Sequence, residues 1–157
     1  MQEALDRAAE APLPRTLIDI LRDTTEQYPD ASAVEDADGA VSYAELLAQV
    51  WRTAAVLREQ GVSQGDRVGI RMTSGRRDLY IAILGAMAAG AAYVPVDADD
   101  PQERADLVFR EARIVGMITD AGYLPADTSD ARQLFSSAAP HPVSYTHLRA
   151  HETGRNL

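Results

Sequence analysis

The sequence predicts an α/β domain: a parallel sheet with flanking helices, preceded by an N-terminal hairpin. Three observations carry this. Three short apolar runs, "DRVGIRM", "AYVPV" and "IVGMITD", are each strand-length and bounded by turn residues. Two helical patterns separate them, and strand–helix–strand–helix–strand at such spacing requires parallel pairing with right-handed crossovers. A two-strand reading, "ASAVEDADGAVSY", precedes them around Asp38-Gly39, where glycine tolerates positive φ.

In chain order, residues 1–14 read as a flexible N-terminal arm punctuated by Pro12 and Pro14. Leu17, Ile20, Leu21 and Thr24 then repeat at helical spacing behind Thr16, up to Tyr28-Pro29. After the hairpin, Ser42 and Glu45 form an S-x-x-E capping box, with Val41 and Leu46 placed to close over it. Leu47, Val50, Trp51, Ala54 and Leu57 give that helix one apolar face, and Gly61 ends it. Strands are expected over residues 67–72, 92–96 and 114–119. The helix from Arg76 to Ala89 is apolar almost all round, so it should be covered on more than one side. Asp100, Pro101 and Glu103 predict the start of the next helix: a cap, a proline at the first helical position, and a back-bonding carboxylate. The organised domain spans residues 15–120, and 121–142 reads as a loop-rich end.

A chain of 157 residues suffices for one core, and 46% hydrophobic with 25% charged residues is ordinary for a globular protein. A net charge of −9 argues against nucleic acid or an anionic membrane as partner, because both need a basic face. The absence of cysteine excludes disulfides and thiolate chemistry and is compatible with a cytoplasmic location. The N-terminus lacks the basic and apolar regions of a secretory signal. Leu79 to Val96 is an uncharged run of 18 residues, the lower limit for a membrane span. Gly85, Gly90 and Pro95 inside it favour a buried helix followed by a buried strand.

Several constellations imitate functional sites. "MTSGRRD" joins a strand to a helix, where phosphate loops occur. It has one glycine and no following lysine, so Ser74 reads better as a helix cap. Asp97, Asp99 and Asp100 have the chemistry of a hard-metal site, but carboxylates beside a helix N-terminus are also favoured by capping and the dipole. His147, His151 and Glu152 have helix-face spacing that suits metal ligands. That spacing falls in a segment of another character. "VSYTHLRAHET", Val143 to Thr153, resembles a translated transposase-type sequencing adapter, and "GRNL" an index barcode. Residues 143–157 are therefore expected to be non-native and are excluded from fold reasoning.

"VSYAELLAQVWRTAAVLREQGVSQGDRVGI" resembles the opening signature of adenylate-forming enzymes, and "AMAAGAAYVPVD" is similar to the second signature of nonribosomal peptide synthetase adenylation domains. Pro101, Glu103 and Arg104 match that family's Pro-x-Glu-Arg, and "MITD" its Thr-Asp strand end. The resemblance covers residues 15 to 120 and implies an incomplete N-terminal subdomain of an AMP-binding enzyme. Where the family usually has a proline after the Asp, and a tyrosine before the second proline, this chain has Ala98 and Asp100. In this respect it is most similar to synthetases of ε-poly-lysine and related cationic homopolymers.

The resemblance implies a parent reaction of amino-acid carboxylate with ATP and Mg²⁺, giving an aminoacyl adenylate, then transfer to a phosphopantetheine thiol on a carrier domain. The phosphate loop and catalytic lysine of the family lie beyond the resembling region. The chain is thus expected to carry no catalytic, cofactor-binding or metal-binding residue and to be inactive alone. An acyl-CoA ligase of the same superfamily and a self-contained binding module are the alternatives. The small residues Gly85, Ala86, Ala89 and Gly90 are expected to let a helix approach the sheet, with Tyr93 and Val94 filling the space. A further expectation is that the Arg76–Ala89 helix leaves one face uncovered, making the product marginally stable.

Overall fold

The computed structural model describes residues 15–126. Helix α1 (Leu17–Gln27) leads into the hairpin β1 (Ser32–Asp36) and β2 (Gly39–Ser42), then α2 (Tyr43–Glu59). The α/β unit follows as β3 (Arg67–Met72), α3 (Arg77–Ala88), β4 (Ala92–Asp97), α4 (Gln102–Ala112), β5 (Gly116–Thr119) and β6 (Gly122–Pro125). The α/β class expected from the sequence is what is observed.

The helix starts follow from local chemistry. Ser42 Oγ accepts the Glu45 amide at 3.2 Å while the Glu45 carboxylate accepts the Ser42 amide at 2.7 Å. Val41 and Leu46, on either side of this box, are both buried. The same device opens α1, where Thr16 and Asp19 exchange side-chain and backbone hydrogen bonds. Those bonds, with Arg22 and Arg15 nearby, hold the Asp19 carboxyl below its ordinary pKa. Gly61 (φ +89°) and Gly90 (φ +90°) turn the chain out of α2 and α3 in the left-handed conformation that glycine adopts without a Cβ penalty.

The sheet order is β4-β3-β5-β6. Strand β3 is parallel to both β4 and β5, with Met72 opposite Asp97 and Arg71 opposite Thr119. Side chains alternate across it. Val68, Ile70 and Met72 enter a core with Ala82 and Ala86 of α3, Ala89 at its end, and Ala54 and Leu57 of α2. The opposite face packs Val96 and Met117 against Ala105 and Phe109 of α4. Gly69 permits this second contact, since a Cβ there would lie 2.8 Å from Ile114 Cδ1 and 3.0 Å from the Phe109 ring. A third cluster, Leu21, Leu46, Val50 and Ile81, joins α1, α2 and α3 on the outer side.

Several expectations change. The end of the chain is not loop from residue 121: β6 pairs antiparallel with β5, and Tyr123 enters the main core. Tyr123 is legible only with its partner, because its ring lies across Gly116, where a Cβ would meet the phenol oxygen at 2.1 Å. Burial pushes the Tyr123 phenol up in pKa. On α1, Leu17 and Ile20 point outward, and Ile18, Leu21 and Thr25 form the inner side. On α2, Trp51 is 42% exposed and Thr53 takes the inward position.

Helix α3 is covered on two sides, by the sheet and by α1 and α2, and Tyr80 is its one exposed residue. The expected uncovered face is absent because Ile81 and Ala82 are taken up by two different cores. Gly85 serves a helix–helix contact and not the sheet approach expected for it: a Cβ would fall 2.5 Å from Thr53 Cγ2. Tyr93 lies 41% exposed on the edge strand β4 and fills no interior space. Pro95 is tolerated within that strand because an edge needs fewer donors. The 18-residue uncharged run is divided between α3 and β4, and among the described residues no helix is long and apolar enough to cross a membrane. The arm at 1–14, residues 127–142 and the adapter-like tail with His147, His151 and Glu152 lie outside the described residues.

Candidate functional site

In open α/β sheets, ligands bind outside the carboxyl ends of the parallel strands. Here those ends are Met72, Asp97 and Thr119, brought level by the registers of β3 with β4 and β5. The loops that follow form one polar rim.

The β3–α3 loop is closed by an internal carboxylate. Asp120 Oδ2, just past β5, accepts from the Thr73 hydroxyl at 2.9 Å and the Thr73 amide at 3.3 Å. Ser74 does not cap α3: the N-cap is Arg76, with no side-chain cap bond. The first turn is satisfied from outside. Asp36, at the end of β1, accepts the Arg77 amide at 3.0 Å and the Arg77 guanidinium at 3.0 and 2.5 Å. Its side chain is 5% exposed and that of Arg77 18%. The Arg77 bonds hold the Asp36 carboxyl far below the ordinary carboxylate range, and the same pair raises the Arg77 pKa. A carboxylate at a helix N-terminus is also favoured by the helix dipole. One long-range ion pair thus fastens the hairpin to α3, assisted by Arg76–Asp38 at 3.2 Å on the surface.

The three acids at and after the end of β4 are engaged locally. Asp97 accepts the Asp99 amide at 2.9 Å, and Asp100 lies 3.5 Å from Arg104. Asp100 does not cap α4. Pro101 occupies the N-cap position without a side-chain bond, and Gln102, not Pro101, is the first helical residue. Proline cannot supply a capping oxygen, so the acids act through the dipole and through Arg104. Among the described residues no group of three or more His, Cys, Asp or Glu could hold a metal ion. The Thr73 donors already face a carboxylate, which would repel a phosphate. At Thr73 the rim therefore offers a phosphate no free donor, and its hydroxyl–carboxylate pair, Thr73 with Asp120 at 2.9 Å, is engaged within the rim itself.

At the opposite, amino-end side, Arg58, Ser63, Gln64 and Met87–Gly90 line a shallow concavity of about 430 Å³. Its Arg58 guanidinium donates to the Ala88 carbonyl at the end of α3. A cation at a helix C-terminus is a stabilising arrangement.

Sequence reasoning found Ser42–Glu45 and quoted Asp120, but missed the roles of Asp36 and Thr73. Their partners are 41 and 47 residues away, and no local pattern encodes them.

These elements define an open, mostly parallel α/β sheet with helices on both faces and a braced carboxyl rim. The AMP-binding enzyme family model matches residues 21–154. The chain belongs to the AMP-binding enzyme family. It is 40% identical over 124 residues to syringomycin synthase SyrB1 of Pseudomonas syringae pv. syringae, covering 78% of this chain and 20% of that protein. It is 33% identical to gramicidin S synthase 2 of Aneurinibacillus migulanus, over 87% of this chain and 3% of that protein. Among solved structures it is similar to the N-terminal subdomain of Klebsiella oxytoca NpsA in complex with 3-hydroxyanthranilyl-AMSN. The TM-score there is 0.64 at 27% identity, covering 81% of this chain and 34% of that one. The chain thus spans about a third or less of each of these proteins.

Proposed function

We propose that this chain is the opening part of an adenylation domain that activates an amino acid for nonribosomal peptide or homopolymer synthesis. The observation that carries the reading is the joint one. Peptide synthetases match over most of the chain, and its fold is similar to the N-terminal subdomain of NpsA. In the parent, a carboxylate oxygen attacks the α-phosphate of ATP, forming the acyl–phosphate bond and releasing pyrophosphate. The acyl group then moves to a phosphopantetheine thiol on a carrier domain. Because both reactants are anionic, Mg²⁺ and a lysine would neutralise the phosphates.

In this reading those groups come from later parts of the parent, the chain alone is inactive, and its contribution is structural. Asp36, Thr73 and Asp120 hold the sheet's carboxyl edge in shape for the elements that bring the phosphate loop. Ala98 and Asp100 support placing the parent nearest the ε-poly-lysine synthetases, working in the cytoplasm. The eleven-residue adapter resemblance supports a native sequence ending near Pro142. The family match runs on to residue 154, so resequencing the source DNA across Val143 decides that boundary.

The activity test is calorimetric titration with ATP·Mg²⁺ and amino-acid-dependent pyrophosphate exchange on the isolated chain. Neither should exceed the blank. Saturable ATP binding or exchange above blank would overturn the assignment of inactivity.

A further inference from the structure

The end of β4 and the loop to α4 carry Asp97, Asp99 and Asp100 within four residues and lead into a helix with no side-chain cap. Like charges so close repel, and the loop has little of its own to oppose them. One cation reaches it from inside the sheet. Arg71, half-buried on the central strand β3, sends Nη2 to the Asp100 carbonyl at 2.9 Å and the Ala98 carbonyl at 3.5 Å. Its Nη1 donates to Gln102 Oε1, and Gln102 Nε2 passes the chain on to Asp106 Oδ1 at 2.7 Å.

We propose that Arg71 is the positioning residue of the sheet's carboxyl rim, fixing the β4–α4 loop through Ala98, Asp100 and Gln102. The guanidinium fork spans two carbonyls and an amide at once, which a lysine point charge cannot do. The role concerns the shape of the loop and not the binding of nucleotide; it depends on the adenylation reading only for the rim being ligand-facing.

The test is amide hydrogen exchange on the full chain without ATP or amino acid, so its outcome is independent of whether adenylation is the right function. Arg71→Met keeps the aliphatic stem and removes the donors. Exchange at the hydrogen-bonded amides of Asp99, Asp100 and Arg104 should rise about tenfold or more, tenfold being about 1.4 kcal/mol, while Ile70 and Ile118 keep their protection. Gln102→Ala, on an exposed site, gives a smaller rise in the same amides and tests the network even if the Arg71 variant folds poorly. In the double variant the two effects should be less than additive, because they share one contact. Unchanged loop exchange, a uniform rise across the sheet, or strict additivity would overturn the proposal.

Discussion

Gly85→Ala is the sharpest test of how α2 and α3 meet. In an exposed helix the exchange would stabilise by about 1 kcal/mol through backbone propensity. Here the new Cβ would lie 2.5 Å from Thr53 Cγ2 and 2.6 Å from Thr53 Cβ. Carbon atoms in contact sit at about 3.5–4.0 Å, so the helices must part by about 1 Å. Rotating Thr53 relieves only the first clash, because Cβ is fixed to the backbone. Separation would loosen Val50, Ala54, Ile81 and Ala86, all buried at or beside this crossing. A clash with a Cβ fixed to the backbone lies at the upper end of the overpacking range, about 3 kcal/mol, so after the propensity gain the net effect is destabilisation by about 2 kcal/mol. For a domain of this size that lowers Tm by about 10 °C. The assay is a thermal melt by circular dichroism on the full chain with and without the change. In a Thr53→Gly background the nearest atom to the new methyl is the Val50 carbonyl at 3.5 Å, an ordinary contact. There Gly85→Ala should be neutral or stabilising. An unchanged or raised Tm in the original background, or an equal loss in both, would refute the crossing.

Thr53→Val keeps the shape of the side chain and removes a buried hydroxyl that has no hydrogen-bond partner, so it should raise stability by about 1 kcal/mol in a denaturant titration. Gly116→Ala should unpair β5 from β6, because the methyl would lie 2.4 Å from Tyr123 Cζ; hydrogen exchange at Met117 and Leu124 reads this directly. Asp36→Asn should loosen the hairpin and lower Tm at neutral pH. Because the folded Asp36 carboxyl titrates below its ordinary value of 3.8, its contribution is complete above that value and is lost as pH falls towards the folded one. The Tm gap between Asp36→Asn and the parent chain should therefore be constant from pH 7 to 5 and narrow below about pH 4. A gap that widens in acid would contradict the ion-pair assignment.

The parts of the fold that were legible are those written in short range. The Ser42–Glu45 box, the glycine after α2, and the three parallel strands each depend on residues within a few positions of one another. What escaped reading was set by distance. Thr24 and Trp51 fit the helical period as well as Thr25 and Thr53 do, and only the neighbours of α1 and α2 decide which faces inward. Tyr123 reads as loop beside Gly122 and Pro125, yet Gly116 opens the space its ring occupies. The rim was illegible for the same reason: Asp36 with Arg77, and Thr73 with Asp120, are pairings that the sheet creates. The apolar text of α3 correctly indicated cover on two sides, but not that a hairpin carboxylate would cap its start.

The central claim is that these residues open an adenylation domain. Uninterrupted sequence of the source locus past Pro142 tests it most directly. The account predicts an open frame with a Ser/Thr/Gly-rich loop and its lysine within a few dozen codons. A stop codon in the native sequence, with no such loop, would contradict it and favour a self-contained module.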